Sequence, residues 1–240
     1  MVVIPCILDS GKKVKELAEK LEVFYLANTS ENLYFTILGD ATSSRKEIED
    51  KDEEIKICGK YEIERLNKKY HKAGVPKFNF IYRKRIWNEK EKCYLGWERK
   101  RGLLTELNEY LILDKETASN NSNTLKHNRK IQNTFIVNTI EEYKIKNPNN
   151  RLNIKYIITL DSDTNLTLNS GIELVQAMAH PLNKPEIDEK KNVVVDGYGL
   201  MQPRIGIDLE TSYQSDFTEI FAGDRWSRFI YKCYIRCLSR

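Results

Sequence analysis

The chain has 240 residues, of which 40% are hydrophobic and 10% aromatic, enough to bury one sizeable core in a single α/β domain. No run approaches the roughly 20 apolar residues of a membrane helix, and the first residues lack the basic-then-apolar plan of a signal peptide, so a cytoplasmic location is expected. Residues 225–240 carry five positive charges and no acid against a net charge of +4, so the rest of the chain is not basic and nucleic-acid binding is not expected.

Apolar runs that predict strands alternate with amphipathic segments that predict helices, a pattern typical of an α/β fold with a largely parallel sheet. In chain order, the predicted strands cover residues 1–8, 32–41, 77–87, 134–138, 156–160 and 192–205. The predicted helices cover residues 12–28, 61–70, 96–113 and 170–179. Residues 43–56 are dense in charge and residues 114–129 are rich in Asn and Ser, so both segments are predicted to be surface loops.

Two aspartates, Asp161 and Asp163, directly follow the apolar strand at residues 156–160. Ligands of open α/β sheets bind beyond the carboxyl ends of the strands, where this pair is expected to lie. Two close carboxylates suit a Mg²⁺ or Mn²⁺ ion that bridges a diphosphate, as in a glycosyltransferase, although the motif alone is common and more often caps a turn. Two alternatives stay open. Asp161 could be the nucleophile of a Mg²⁺-dependent phosphotransferase or phosphatase, or the pair could simply cap a turn in a non-catalytic binding fragment.

Several separate motifs along nearly all of residues 1–223 occur in one order. They are MVVIPCIL, LEVFYLAN, LYFTILGD, RKRIWN, GWERKRG, YIITLDSDTNL, AMAHPLN and GYGLMQPR. Together they resemble the glucosyltransferase domain of cyclic β-1,2-glucan synthases, a processive inverting family. The resemblance implies a GT-A fold for residues 1–224, with a Rossmann-type, mainly parallel sheet flanked by helices and cut short of its last elements.

The same resemblance implies partners and a location. UDP-glucose would be the donor, a β-1,2-glucan chain the acceptor, and Mg²⁺ or Mn²⁺ the cofactor. The full-length family acts at the cytoplasmic face of the inner membrane, and its membrane and carbohydrate-processing domains would follow this segment. The general base is expected beyond the end of this chain, so the segment is predicted to be inactive alone.

The resemblance also implies roles for individual residues. Asp161 and Asp163 would hold the divalent ion and the donor diphosphate, and Asp40 would hydrogen-bond the uracil or ribose. The donor-binding residues implied are Asp40, Asp161, Asp163, Lys100 and Arg101, and the acceptor-binding residues are Gln202 and Arg204. Trp97 could be a core residue or a platform for a sugar ring, and the core is the favoured interpretation, because single tryptophans are highly buried on average.

The last segment, residues 225–240, is predicted to lie outside the family domain. Its composition differs from that of the preceding chain, and the resemblance ends at the stretch FAGD. Skipping one base at codon 225 allows the following codons to encode Gly-Gly-Val-Asp, the continuation that the family implies. We therefore expect residues 225–240 to be translated out of frame, which the DNA sequence across codon 225 tests.

Overall fold

The fold places one mixed sheet between helices on both of its faces. The computed structural model describes residues 1–70, 74–117, 134–150, 152–188, 190–191, 193–203 and 234–237. The strands are β1 Val2–Leu8, β2 Phe35–Ala41, β3 Phe78–Arg83, β4 Ile86–Asn88, β5 Cys93–Leu95, β6 Phe135–Asn138, β7 Tyr156–Thr159, β8 Glu186–Asp188, β9 Val193–Asp196, β10 Leu200–Met201 and β11 Tyr234–Cys237. The helices are α1 Gly11–Ala27, α2 Asp50–Lys69, α3 Arg99–Thr117, α4 Thr139–Lys146 and α5 Ser170–Ala179.

Within the described residues, the main sheet has seven strands in the order β10-β11-β7-β1-β2-β3-β6. The four central strands, β7, β1, β2 and β3, run parallel to one another. At the flanks, β6 pairs antiparallel with β3, β11 with β7, and β10 with β11. The predicted α/β class with a mainly parallel sheet is therefore confirmed. The carboxyl ends of the four central strands meet at one edge, which we call the carboxyl edge.

Two apolar layers hold the helices against the sheet. On one face, α1, α2 and α5 bury residues such as Leu21, Ile63 and Met178 against the strands. On the other face, α3 and α4 bury residues such as Leu107 and Ile140. Because both faces of the central strands are covered, these strands read as continuous apolar runs in the sequence.

An aromatic cluster lies at the opposite edge from the carboxyl edge. Phe35 and Phe78 open β2 and β3, and Tyr25 and Tyr70 lie at the ends of α1 and α2. The Tyr25 ring centroid is 4.9 Å from that of Tyr70, 5.2 Å from that of Phe78 and 6.0 Å from that of Phe35. These edge-to-face and tilted contacts join two helices to two strands.

The loop prediction for residues 43–56 is wrong in its second half, because α2 begins at Asp50. The backbone amide of Glu49 donates a 2.8 Å hydrogen bond to the Asp52 carboxylate, which caps the helix. The charge density that suggested a loop is the acidic first turn of a helix, where negative side chains complement the helix dipole. Helix α3 likewise continues to Thr117, into the second predicted loop, whose remainder lies outside the described residues.

Two predicted strands are each divided in two. Residues 77–87 form β3 and β4, and residues 192–205 contain β9 and β10. Gly197, between β9 and β10, has a φ of 71°, a left-handed conformation that favours glycine and ends the extended run. By contrast, the predicted helix at residues 170–179 coincides with α5.

Residues 234–237, which were predicted to lie outside the family domain, form β11 and pair with β7 of the main sheet. Their pairing places Tyr234 opposite Thr159 and Cys237 opposite Tyr156. Among the described residues, no helix is both long and apolar enough to cross a membrane.

Candidate functional site

Asp161 and Asp163 lie at the carboxyl edge, in the turn that leaves β7. The Leu160 amide still bonds the Val3 carbonyl of β1 at 2.9 Å, and the Asp161 carbonyl then accepts a 3.0 Å hydrogen bond from Thr164. Asp161 is half-buried, with 28% of its side chain exposed, and Asp163 is exposed. Neither carboxylate points into the core, so both are accessible to a ligand at this edge.

Two lysines from different helices flank this turn. Lys100, in the first turn of α3, places its ammonium nitrogen against Asp161 Oδ1. Lys20, in α1, donates a 2.7 Å hydrogen bond to the Ser162 carbonyl. Partial burial lowers the pKa of Lys20, and the charge of Asp163 opposes that shift. Two carboxylates of the turn and two ammonium groups from the helices therefore meet at one edge of the sheet.

The segment leading into α3, residues 96–102, forms a tight turn that we call the 96–102 turn. Glu98 and Arg99 have φ angles of 50° and 47°, in the left-handed region that costs a non-glycine residue on the order of 1–2 kcal/mol. A Cβ at position 102 would collide with the Trp97 carbonyl oxygen, so glycine is required there. Arg101 pairs with Glu98. Trp97 is 51% exposed, so its interpretation as a core residue is wrong.

Asp40 lies at the expected end of β2 but is buried, with 5% of its side chain exposed. Its carboxylate accepts two hydrogen bonds from Arg83, of 3.2 Å from Nε and 2.7 Å from Nη2. Burial raises the pKa of Asp40, and the Arg83 guanidinium opposes this shift. The Asp40 carboxylate is thus already engaged by protein, and its contact with uracil or ribose stays a prediction.

Gln202 lies at the same edge of the sheet as the aspartates. Because β10 and β11 are antiparallel, and β11 and β7 are antiparallel, β10 runs in the same direction as β7. Gln202 directly follows β10 and is exposed, two strand spacings or about 10 Å from the line of β7. The other predicted acceptor-binding residue, Arg204, lies outside the described residues.

The chemistry of Asp161 and Asp163 fits a divalent ion that a ligand helps to bind. In the part of the chain that the structure describes, no group of three or more His, Cys, Asp or Glu residues could hold a metal. Mg²⁺ in nucleotide sites is usually held by one or two carboxylates, with substrate phosphates and waters completing its octahedron. Asp161 and Asp163 are two carboxylates of the kind that such a set uses, and the Lys100 ammonium group lies beside them.

A cleft of about 700 Å³ lies between the carboxyl end of β2 and the start of α2. Its lining residues are Ser43, Ser44, Arg45, Lys46, Ile48, Glu49, Asp50, Lys51 and Cys93. Its lining mixes both signs of charge and includes none of the predicted site residues. The turn after β7 therefore remains the better candidate, because the charged groups of Asp161, Asp163, Lys20 and Lys100 converge there.

No protein-family model matches the chain. Over 228 residues, or 94% of this chain, the sequence is 35% identical to the cyclic β-(1,2)-glucan synthase NdvB of Rhizobium meliloti (strain 1021). The chain is similar to part of a glucan synthase. It spans 7% of the length of NdvB. This similarity supports the family resemblance predicted from the motifs, whereas the activity of the whole NdvB enzyme belongs to a much longer protein.

Three residues of the site were not predicted from the sequence, namely Lys20, Arg83 and Glu106. Arg83 ends β3 and is fully buried, and its Nη1 donates a 2.9 Å hydrogen bond to Glu106. The arginine at the end of a mostly apolar strand could have indicated a buried ion pair, because a buried charge needs a partner. The sequence alone does not identify this ion pair, because the residues RKR at the end of that strand are equally typical of a solvated turn.

Proposed function

We propose that the chain is the nucleotide-sugar-binding part of an inverting glucosyltransferase that uses UDP-glucose to build β-1,2-glucan. The observation that carries this proposal is the position of Asp161 and Asp163 at the open carboxyl edge with Lys100 beside them. The similarity to the glucan synthase NdvB supports the same class of reaction. Asp161 and Asp163 would hold Mg²⁺ or Mn²⁺, which when bound neutralises charge on a departing diphosphate.

The chain's own residues would bind and orient the donor. Lys100 would exchange its contact with Asp161 for a phosphate oxygen of UDP-glucose, adding a charge-assisted hydrogen bond. Arg101 would add a weaker phosphate contact, since it is exposed and paired with Glu98. The turn after β7 would keep both carboxylates on the side of the sheet that the donor approaches.

The acceptor would be held by Gln202 and Arg204, whose amide and guanidinium groups can bond sugar hydroxyls. Attack of an acceptor 2-hydroxyl on the anomeric carbon of UDP-glucose forms the new C–O bond as the bond to UDP breaks. Inversion converts the α-linked donor into a β-1,2 linkage. The general base is not among the residues assigned, so we expect this chain to bind UDP-glucose without making glucan alone.

Calorimetric titration of UDP-glucose, with and without Mn²⁺, tests the proposal. We expect Mn²⁺ to tighten binding about tenfold or more, because charge-assisted contacts of 1.5–3 kcal/mol correspond to that range. Asp163→Ala should abolish the Mn²⁺ effect. Glu64→Ala is the matched control, because Glu64 is an exposed carboxylate on α2 with an ordinary ion pair to Lys68.

The same titration separates the alternatives. Equal affinity in wild type and Asp163→Ala would favour a binding fragment that does not use the carboxylates. Trapping of a phosphoryl analogue on Asp161, with no dependence of binding on the uridine, would favour the phosphotransferase. Either result would overturn the proposed glucosyltransferase function.

A further inference from the structure

Arg83 is the centre of a buried charged cluster beneath the candidate site. It is fully buried at the end of β3, next to its register partner Asp40 in β2. Besides its two hydrogen bonds to Asp40, it donates one of 2.9 Å to Glu106 of α3. One guanidinium thus forms ion pairs with two buried carboxylates, one in β2 and one in α3. These contacts fix the position of α3 relative to the sheet.

Arg83 makes a further contact that leads to the surface. Its Nη2 donates a 3.1 Å hydrogen bond to the backbone carbonyl of Arg99, the first residue of α3. Arg99 is one of the two left-handed residues of the 96–102 turn, and the next residue is Lys100. Strained backbone of this kind persists where its surroundings hold it in place.

Gly96 shows how closely the 96–102 turn packs on this cluster. It is buried, and a Cβ there would collide with both carboxylate oxygens of Asp40 and with Arg83 Nη2. The turn therefore packs against the Asp40–Arg83 ion pair through Gly96, and its Arg99 carbonyl accepts a hydrogen bond from Arg83. Both attachments lie within four residues of Lys100.

We infer that Arg83 is a positioning residue that holds the strained 96–102 turn and thereby directs Lys100 to Asp161. The inference rests on the proposed function only where it concerns nucleotide affinity. Arg83 itself touches no ligand, because it is fully buried. Its effect on binding passes through the backbone of Arg99 to the ammonium group of Lys100.

Arg83→Lys tests this role, because lysine keeps the charge and loses the planar fork that serves three partners at once. We expect amide hydrogen exchange of residues 96–102 to accelerate about tenfold, and the affinity for UDP with Mn²⁺ to fall by a similar factor. The matched control is Arg85→Lys, since Arg85 is buried and binds Asp52 and the Thr42 carbonyl instead. Arg85→Lys should leave both readouts near wild type after correction for global stability.

A second pair of variants covers the case in which Arg83→Lys does not fold. Gly96→Ala keeps every charged group and pushes the 96–102 turn away from Asp40, so it should reproduce the exchange and affinity changes. Gly59→Ala is its control, because a Cβ there collides with Phe80 on the other face of the sheet. Equal exchange of residues 96–102 in Gly96→Ala and Gly59→Ala would overturn the inference.

The outcomes distinguish this inference from the proposed function. If the wild type does not bind UDP, the proposed function fails, and hydrogen exchange of residues 96–102 alone decides the role of Arg83. If the wild type binds UDP while Arg83→Lys binds equally well with unchanged exchange, the positioning role fails and the proposed function stands. Equal losses in Arg83→Lys and Arg85→Lys would show a general structural effect and would also reject the positioning role.

Discussion

Asn28, at the end of α1, accepts a 2.8 Å hydrogen bond from the backbone amide of Gly171, at the start of α5. Its side-chain amide also donates to the carbonyls of Phe24 and Thr167, at 3.2 and 3.0 Å. Asn28 is fully buried. The far end of the loop that begins at Asp161 is therefore held on α1 by the Asn28 side chain and by the Asn169 amide, which donates a 2.9 Å hydrogen bond to the Ala27 carbonyl.

Replacing Asn28 with alanine should lower the free energy of unfolding by about 1–3 kcal/mol, because the buried backbone amide of Gly171 loses its partner. Urea unfolding followed by circular dichroism measures this change. Asn32→Ala, at an exposed position in the following loop, is the control and should change the free energy by less than about 0.5 kcal/mol. Similar losses in both variants would contradict the role of Asn28.

Glu106→Gln should become more stable relative to the wild type as the pH rises. Burial raises the pKa of Glu106, with Arg83 opposing, so the folded chain holds this proton more tightly than the unfolded chain. The stability contributed by the protonated carboxyl is present below the ordinary value of 4.5 and is lost as the pH rises through the raised folded value. Glutamine stays neutral at every pH, so the Glu106→Gln variant does not lose this stability as the pH rises.

Urea unfolding of both proteins from about pH 4 to about pH 8 measures this difference. Glu64→Gln is the control of opposite sign, because hydrogen bonding to Lys68 lowers the pKa of Glu64. The wild-type carboxylate at position 64 therefore favours folding above the ordinary pKa, and its replacement gains nothing as the pH rises. A Glu106→Gln difference that is flat or falls with pH would show that burial does not dominate at this site.

Lys100→Met should weaken the binding of UDP with Mn²⁺ about tenfold or more, because Lys100 reaches the Asp161 carboxylate and is placed to reach a phosphate. Arg101→Met should weaken binding less than about fivefold, because exposed ion pairs contribute at most about 1 kcal/mol. The Arg101 side chain is 78% exposed and pairs with Glu98. Titration calorimetry of the two variants compares them directly, and a larger effect at Arg101 would reverse the assignment.

Cys6 should resist alkylation in the folded protein. Its thiol is buried in β1, and desolvation raises its pKa to about 12, so almost no thiolate is present near neutral pH. Cys93 is half-buried and should react faster than Cys6. Labelling with iodoacetamide, followed by peptide mass spectrometry in buffer and in urea, measures both rates. Equal rates in buffer would show that the β1 strand opens readily.

The elements with strong local signals were predictable from the sequence. Helix α5 coincides with residues 170–179, and α1 begins and ends one residue before its predicted bounds, because apolar residues recur there at helical spacing. The placement of Asp161 at the end of β7 followed from a short apolar run that ends in acidic residues. These features depend on neighbouring residues alone.

The interactions that join distant segments were not predictable from local patterns. Arg83 finds Asp40 and Glu106 far away along the chain, and nothing next to it in the sequence identifies either partner. Tyr234–Cys237 pairs with β7, although its composition differs from that of the preceding chain. Lys20 meets the turn at Asp161 only because α1 folds back along the sheet.

The aromatic cluster of Tyr25, Phe35, Tyr70 and Phe78 anchors two helices at the edge of the sheet opposite the charged residues. The aromatic packing and the candidate ligand site thus lie at opposite ends of the same strands. Under the proposed function, exposed side chains of the turn after β7 can be exchanged to alter ligand binding without disturbing the packing that orients α1 and α2. A library that randomises residues 161–163 should retain folded members at a much higher frequency than one that randomises the aromatic cluster.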